Sequence, residues 1–414
     1  MASFDPHTVR PLFPALSEAV GEQPAIFFDA PGGTQVPQAV IDAIGEYLSR
    51  RNANTHGAFV TSRRTDETIV AAHQAMADLL NCDRDEVVFG QNMTTLTFAI
   101  SRAIGRTIKP GDEIVVTRLD HDANVAPWRA LEECGAIIRE VDIDIEDCTL
   151  DMNDLAAKIG PRTKLVAIGY ASNAVGTIND VRRVVELARA AGALSYVDAV
   201  HYAPHGPIDV RALDCDFLAC SVYKFFGPHV GVLYGKRAQL EQLTPYKVRP
   251  AADSSPERWM TGTQNHEGLA GVTAAVEYLA SLADEAVNGD RRQQLAAAMQ
   301  RIKAYERTLS EQLIGGLQAI PGLTFYGIRE ADQFDRRTPT VSFRMAGHSP
   351  RAIAEFLGER GIFVWDGNYY ALSLTERLGV EESGGMVRVG LAHYNTAEEI
   401  TRLLDALGEL SLHH

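Results

Sequence analysis

The chain has few lysines, few cysteines and no long apolar run. Its five cysteines are odd in number, scattered and never spaced as CxxC, which argues against a disulfide framework and a zinc site. No stretch approaches the roughly 18 apolar residues of a membrane span, and "MASFDPHTVRPLFPALSEAV" has no basic segment followed by an apolar run. We therefore expect a cytoplasmic protein without a membrane anchor.

Positive charge is also scarce. The chain carries 39 Lys and Arg against 54 Asp and Glu, a net charge of -15 at pH 7. The field of such a chain repels phosphates, which argues against nucleic acid and anionic membranes as partners. With 414 residues, 46% of them hydrophobic, the chain can bury a large core and exceeds the usual length of one domain. Two domains are expected.

What the chain does contain, from about residue 84, is an alternation of short β-branched runs with amphipathic stretches. The runs are "DEVVFG", "DEIVVTR", "AIIREVDI", "KLVAIGY", "LSYVDAV", "DFLACSV" and "VGVLYGK". This order predicts an α/β fold with a largely parallel sheet, covered by helices and binding ligands at the carboxyl ends of its strands.

The second half of the chain changes character. An Ala- and Leu-rich region is followed by the runs "LTFYGI", "TVSFRM", "GIFVWDG" and "MVRVGLAHY", which are interleaved with helical patterns. We predict a large domain over residues 20–265, a connecting helical region over 266–319 and a small α+β domain over 320–414. Residues 1–19 are expected to pack on the small domain.

Lys224 lies in "SVYKFFGPHVG", among aromatic residues and glycine, whereas the other six lysines lie in polar surroundings. Apolar neighbours destabilise the ammonium and favour the neutral amine that forms a Schiff base. The alternative is a lysine whose stem lies on apolar surface with its head in water.

Asp198 ends the apolar run of "LSYVDAVHYAPH", where a carboxylate is costly to bury without a cationic partner. Pyridoxal phosphate supplies that partner, because an aspartate keeps its ring nitrogen protonated while a lysine holds its aldehyde. The alternative for Asp198 is a helix N-cap or a surface carboxylate. We hypothesise that Lys224 and Asp198 hold this cofactor.

A phosphate site is predicted at the strand-to-helix junction "GQNMTTLTF". Met93 and Thr94 would lie at the helix start, where backbone N–H groups can bind an anion. Ser221, three residues before Lys224, would add a hydroxyl. The alternative is that the threonine only caps the helix and binds no anion.

Together these motifs resemble the class V aminotransferase and cysteine desulfurase group of pyridoxal-phosphate enzymes, over nearly the whole chain. The resemblance implies the aspartate-aminotransferase fold, fold type I, with a mainly parallel seven-stranded sheet in the large domain. It also implies an amino acid as small-molecule substrate and a homodimer with shared active sites.

The resemblance assigns cofactor contacts to several motifs. "LDHDANVAPW" implies that His121 stacks on the cofactor ring and is catalytic, with Asn124 and Trp128 supporting its loop. "YASNAVGT" implies that Asn173 approaches the cofactor's phenolic oxygen and the substrate. "VDAVHYAPH" places His201 where desulfurases usually have glutamine. The alternatives are a solvated surface histidine for His121 and a turn residue for Asn173.

Further assignments rest on the same resemblance. Tyr223 stands where histidine is common before the lysine. Gly262 and Thr263 in "TGTQN" would reach the neighbouring subunit's phosphate, unless Thr263 is only a turn residue. Arg388 in "RVGLAHYNT" would bind the substrate carboxylate, and a guanidinium in an apolar strand needs such a partner.

Two N-terminal segments resemble parts that fold over the active site. They are "FFDAPGGTQVP" and "NANTHGAFVTSRR". Gly32 and Gly33 would let the backbone approach the substrate, and His56 would contact it.

The loop that carries the catalytic cysteine of desulfurases is different in this chain. The matching stretch is "VWDGNYYALSL", with Tyr370 near the expected position, and no cysteine follows Cys220. A phenol cannot replace a thiolate as sulfur acceptor, so the usual persulfide route is not expected. Tyr369 and Tyr370 predict an aromatic pocket wall or a general acid; the alternative is that both pack between domains.

These observations predict a desulfurase-like lyase that cleaves a Cβ–S or other Cβ–heteroatom bond of a cysteine-type amino acid. One alternative is an aminotransferase or epimerase for a larger amino acid, with room provided by Gly57 and the aromatic loop. A non-catalytic family member is the other alternative, which the presence of Lys224, Asp198 and Arg388 disfavours.

Overall fold

The predicted strands of the first half form one central sheet of seven strands. A computed structural model describes residues 4–284, 286–287 and 289–412. The strands are β1 (Val87–Gly90), β2 (Glu113–Thr117), β3 (Ile137–Val141), β4 (Thr163–Gly169), β5 (Leu194–Asp198), β6 (Phe217–Ser221) and β7 (Gly231–Gly235). Each contains one of the β-branched runs, so the expected α/β fold is confirmed.

The strand order of this sheet is β1-β7-β6-β5-β4-β2-β3. Only β7 runs antiparallel to its neighbours, β1 and β6. The carboxyl ends of the six other strands therefore lie at one edge, and the polar segments that follow them converge there. Asp198, the last residue of β5, lies beside Gly169 of β4 and Ala219 of β6.

Helices pack in both domains. The longer ones are α1 (Gln38–Arg50), α2 (Val60–Leu80), α3 (Met93–Gly105), α4 (Met152–Lys158), α5 (Val181–Ala190), α6 (Arg237–Gln242), α7 (His266–Ser281), α8 (Arg291–Gln318), α9 (Pro350–Gly358), α10 (Leu372–Arg377) and α11 (Ala397–Ser411). Single turns of helix span Pro6–Val9, Ala126–Arg129 and Val210–Leu213. In α5 the buried Val181, Val184, Val185 and Ala188 recur at helical spacing, which explains why this face packs on the sheet. None of the helices among the described residues has the length and apolarity needed to cross a membrane.

The second half contains the expected small α+β domain. Its sheet is antiparallel in the order β8-β9-β11-β10, with strands β8 (Leu323–Tyr326), β9 (Thr340–Met345), β10 (Trp365–Gly367) and β11 (Met386–Gly390). Two-residue strands lie at Ala19–Val20, Gln23–Pro24, Ile26–Phe27, Ile143–Asp144, Thr149–Leu150 and Ile362–Phe363.

The connecting helix α8 contributes to both hydrophobic cores. Leu295 and Ile302 lie in the core of the large domain, and Leu313 and Leu317 lie in that of the small domain. The predicted domain boundaries stay predictions, since the cores are joined through this helix.

The N-terminal segment contacts both domains. Phe13 packs edge-on against Tyr278 of α7, whereas Arg10 forms an ion pair of 2.8 Å with Glu399 of α11. Ile26–Phe27 then pairs with Ile362–Phe363 of the small domain. The segment that follows this pairing contains Gly32, which lies between the large and the small domain.

Candidate active site

A cavity of about 1070 Å³ lies at the carboxyl edge of the central sheet. Segments after β1, β2, β4, β5 and β6 line it from the large domain, and Arg388 and the loop after β10 line it from the small domain. Most of the site residues predicted from the sequence meet there: Gly32, Met93, Thr94, His121, Asn173, Asp198, His201, Ser221, Tyr223, Lys224, Tyr370 and Arg388.

Lys224 lies in a helical turn directly after β6, with its amine inside the cavity. Nζ donates to the carbonyl of Pro31 at 2.5 Å and lies 4.7 Å from the centre of the Tyr223 ring. Burial, assisted by the charge of Arg388, lowers the pKa of Lys224 to about 7, against the opposing effect of Asp198. An amine with this pKa is half neutral near pH 7 and is therefore nucleophilic.

Four other lysines, unlike Lys224, form ion pairs. Each pairs with a carboxylate: Lys158 with Asp154, Lys164 with Asp112, Lys236 with Asp214, and Lys247 with Asp253. Each of these four ammonium groups therefore has an opposite charge close by. Lys224 is thus distinguished by position as well as by sequence context.

Asp198 is buried at the end of β5 and lines the same cavity. Its Oδ1 accepts a hydrogen bond from the amide of Val200 at 2.9 Å. Burial raises the pKa of Asp198 to about 6, because a carboxylate is poorly solvated there. A cationic ring nitrogen in the cavity would stabilise the ionised form.

The start of α3, where an anion site is predicted, lies at the cavity. The amide of Met93 donates to Ser221 Oγ at 3.0 Å, and the amide of Thr95 donates to Asn92 Oδ1 at 2.9 Å. Thr94 lies between them and lines the cavity. Gly231 of β7 permits this closeness, since a Cβ there would lie 2.4 Å from the Asn92 carbonyl carbon. The positive end of a 13-residue helix thus faces the cavity, where it favours a phosphate.

His121 has a defined tautomer. Its Nδ1 accepts from the amide of Ala123 at 3.0 Å, which leaves the proton of the neutral ring on Nε2. Burial lowers the pKa of His121 to about 4, so the ring is neutral near pH 7. The loop is supported as the motif implies, because Trp128 donates to Asn124 Oδ1 at 3.3 Å and Asn124 donates to Asp120.

Arg388 and Asn173 face each other across the domain boundary. Arg388 Nη1 donates to the Asn173 carbonyl at 2.9 Å, and Asn173 Nδ2 donates to the Tyr369 carbonyl at 2.9 Å. Arg388 Nε and Asn173 Oδ1 are buried without a hydrogen-bond partner. Among the described residues Arg388 forms no ion pair, and burial lowers its pKa to about 10. An anionic ligand such as an α-carboxylate would satisfy the guanidinium.

His201 closes the site on another side. Its Nε2 lies 3.1 Å from Thr338 Oγ1, and burial lowers its pKa so that the ring is neutral. Behind it His205 packs edge-on at 5.4 Å and forms a buried pair of 2.8 Å with Glu306 of α8. His205 and Glu306 were not anticipated from the sequence, since nothing near Glu306 distinguishes it from a surface residue of a helix.

Two further carboxylates were also missed. Asp120 accepts from the amide of Gly169 at 2.8 Å, and burial raises its pKa to about 7. Asp29 has a buried, unpaired Oδ1, and burial raises its pKa to about 6. Asp29 directly follows the apolar run "AIFF". This is the signal that singled out Asp198, and it would have identified Asp29 too.

Four predicted residues do not line the cavity: Gly33, His56, Gly262 and Thr263. The side chain of His56 is 87% exposed and lies near Asp66. Thr263 lines a second cavity of about 640 Å³, and Gly262 precedes it with a left-handed backbone. Gly262 and Thr263 are expected to act on a neighbouring subunit, so their role stays a prediction.

The donor set of the first cavity fits pyridoxal phosphate. It combines an amine with a lowered pKa, a buried carboxylate, a helix start and a neutral histidine within one space. Lys224 would hold the aldehyde carbon, Asp198 the ring nitrogen and Thr94 with Ser221 the phosphate. The fold and site thus define a pyridoxal-phosphate enzyme of fold type I.

Comparison with known proteins agrees with this class. The profile of the family "Aminotransferase class-V" matches residues 26–403, and the chain belongs to this family. It is 32% identical over 421 residues to a cysteine desulfurase of Pectobacterium atrosepticum, spanning 98% of each chain.

Solved structures extend the likeness. The apo cysteine desulfurase of Thermococcus onnurineus NA1 superposes with a TM-score of 0.89 at 28% identity over the whole of both chains. The cysteine desulfurase CsdA of Escherichia coli does so with a TM-score of 0.84 at 28% identity, over 100% of this chain and 99% of that one. The predicted family, fold and cofactor are thereby confirmed, and the protein is a cysteine desulfurase-like enzyme.

Proposed function

We propose that the protein is a lyase that cleaves the Cβ–S bond of a cysteine-type amino acid without forming a persulfide on the enzyme. One observation carries this proposal: the cavity holds Lys224, Asp198 and Arg388 but no thiol. None of the five cysteines, all of them within the described residues, lines it.

The buried cysteines are also poor sulfur acceptors. Burial raises the pKa of Cys148 and of Cys215 to about 12 and raises that of Cys220 as well. A thiol attacks sulfur as its thiolate, which is almost absent at neutral pH when the pKa is that high. Cys134 is exposed, but it lies away from the cavity.

Pyridoxal phosphate, when bound, supplies an electron sink for negative charge at Cα. In this proposal Arg388 binds the α-carboxylate, and Lys224, with a pKa of about 7, accepts the α-proton at Nζ. The Nε2–H of the neutral His121 ring can donate a hydrogen bond to the leaving sulfur, which takes its proton from the ammonium formed at Lys224 Nζ. The pair of electrons in the Cβ–S bond leaves on sulfur, so the overall reaction consumes water and gives sulfide or a thiol, pyruvate and ammonia. Neither an oxidant nor a reductant is needed.

The product tests this proposal. The holoenzyme is incubated with cysteine, cysteine sulfinate, selenocysteine and cysteine conjugates, and sulfide, pyruvate and alanine are measured. We expect pyruvate and sulfide in equal amounts from cysteine, and the same result from the Cys134→Ser variant. Alanine as the main product, together with a sulfur adduct on an enzyme cysteine by mass spectrometry, would overturn it.

An aminotransferase is the second candidate, and the size of the cavity favours it, because a larger amino acid would fit. Its signature is a keto-acid-dependent half-reaction with no product released from Cβ. The same incubations, repeated with pyruvate or 2-oxoglutarate as acceptor, separate the two activities.

We also propose a homodimer in which Thr263 completes the partner's phosphate site. Tyr246, beside the second cavity, and Val248 are large exposed residues in this region. A mixture of Lys224→Ala and Thr263→Asp proteins tests the arrangement, because exchange of subunits creates one intact site per mixed dimer and restores about a quarter of the activity. No recovery after exchange, or a fully active monomer, would contradict it.

A cytoplasmic location stays a proposal that rests on the odd, scattered cysteines.

A further inference from the structure

The loop that follows β10 has an ordered but strained backbone at Tyr369 and Tyr370. Tyr369 and Tyr370 have φ values of 55° and 60°, a left-handed backbone that aromatic residues rarely adopt. Tyr370 donates its amide to Asn368 Oδ1 at 3.0 Å. The amide of Asp122 donates to the Tyr370 carbonyl at 2.7 Å, and Asn173 Nδ2 donates to the Tyr369 carbonyl. The large domain therefore holds both tyrosines in place.

The side chains of the two tyrosines have different partners. Tyr369 covers the Arg388 guanidinium, and its hydroxyl donates to the Met386 carbonyl. Tyr370 is 72% exposed, lines the cavity and stacks on His121 with 5.4 Å between ring centres and 23° between planes. Tyr370 thus presents an aromatic face at the mouth of the cavity, next to the histidine that would donate a hydrogen bond to the leaving group.

A second aromatic side chain lines the same mouth. Trp365 is 49% exposed and lies against Gly32, where a Cβ would come within 2.3 Å of the indole Nε1. Only glycine at this position lets the indole lie so close to the segment that holds Lys224 through Pro31.

The cavity is larger than cysteine requires. Its volume of about 1070 Å³ lies just above the range for pockets that hold drug-sized ligands, roughly 300–1,000 Å³. The cofactor and a three-carbon amino acid leave part of this space unfilled, and Tyr370 and Trp365 border its outer end.

We propose that Tyr370 and Trp365 form a subsite for the sulfur substituent of an S-substituted cysteine, and that the preferred substituent is planar or aromatic. This inference rests on the proposed lyase function and specifies its substrate. In the reaction the Cβ–S bond breaks with its electron pair on sulfur, the sulfur takes a proton, and water releases pyruvate and ammonia. The substituent leaves as a thiol, with no change in overall oxidation state.

Cysteine, S-methylcysteine and S-benzylcysteine test the subsite with the holoenzyme. We expect KM for S-benzylcysteine to be about tenfold below that for cysteine, since one stacked ring contributes roughly this factor. In Tyr370→Ala, kcat/KM for S-benzylcysteine is expected to fall about tenfold more than kcat/KM for cysteine. Tyr370→Phe keeps the aromatic face and is expected to behave as the wild type.

Leu372→Ala is the matched control. Leu372 is 40% exposed, lies two residues after Tyr370 and does not line the cavity. Trp365→Ala is expected to follow Tyr370→Ala. A kcat/KM that falls steadily as the substituent grows, or an equal loss for cysteine and S-benzylcysteine in Tyr370→Ala, would overturn the subsite.

A binding measurement separates the subsite from the lyase function. The carba analogue of S-benzylcysteine, 2-amino-5-phenylpentanoate, has no sulfur to eliminate, and its binding is followed from the absorbance of the bound cofactor. Binding that weakens about tenfold in Tyr370→Ala supports the subsite even when S-benzylcysteine releases no thiol. Binding that does not depend on Tyr370 overturns it even when cysteine is cleaved.

Discussion

The ring of Tyr369 lies over the guanidinium of Arg388, with Cζ 4.2 Å from the ring centre. The contact combines a cation–π attraction with exclusion of water from one face of the group. Together with the hydrogen bond to the Asn173 carbonyl, it orients Arg388 before any substrate is present. A ligand carboxylate would then meet a preorganised partner.

Replacement of Arg388 by glutamine is expected to raise KM for amino acids by roughly 10²-fold, because two hydrogen bonds to a charged group are lost. Steady-state kinetics with cysteine and with cysteamine, which lacks the carboxylate, measure the effect. The wild type should prefer cysteine strongly, and Arg388→Gln should lose that preference. Arg402→Gln is the control, since Arg402 donates to the backbone carbonyls of Pro24 and Arg360, neither of which lines the cavity. An unchanged preference in Arg388→Gln would show that the carboxylate binds elsewhere.

Replacement of Lys224 by alanine is expected to abolish covalent cofactor attachment and to lower turnover by roughly 10²–10⁴-fold, the contribution of a positioned general base. The purified wild type should carry a visible absorbance band that this variant lacks. Lys236→Ala, which removes a lysine paired with Asp214, serves as control. A visible band that persists unchanged in Lys224→Ala would refute the assignment.

The pH dependence of cofactor attachment follows from the lowered pKa of Lys224. The folded-state pKa of about 7 lies below the ordinary value of 10.5, so the neutral, reactive amine increases as pH rises through 7. The rate at which the apoenzyme binds pyridoxal phosphate covalently is expected to rise between pH 6 and 8 and to level off above about pH 8. Absorbance after mixing measures this rate. In Arg388→Gln a repelling charge is removed, and the midpoint should move to higher pH. A wild-type rate that still rises near pH 10 would contradict the prediction.

Replacement of Asp198 by asparagine is expected to weaken cofactor binding by about 10- to 100-fold, since a hydrogen bond to a charged group contributes roughly 1.5–3 kcal/mol. Dialysis followed by fluorescence of the released cofactor gives the dissociation constant. Asp180→Asn is a suitable comparison, because Asp180 caps α5 away from the cavity. Equal retention of cofactor by the Asp198 variant and the wild type would exclude Asp198 as the partner of the ring nitrogen.

Several parts of the site were accessible from local sequence. Lys224 stood out because its neighbours are aromatic, and Asp198 because it ends an apolar run. Asp29 has the same local pattern as Asp198 but is more than 160 positions away from it, and only the fold brings both near Lys224. The position of Glu306 beside His205 has no local signal, because it depends on how α8 crosses between the two cores.

The sequence by itself determined the seven strands, the amphipathic helices and the chemical types gathered at the strand ends, because β-branched runs and helical periodicity act over a few residues. The tertiary structure alone decided which of those residues meet. It placed His56 outside the cavity, turned Tyr369 onto Arg388 and left Tyr370 facing the cavity mouth. These outcomes depend on packing between segments far apart in the chain, where the left-handed backbone of the two tyrosines is stabilised by the opposite domain.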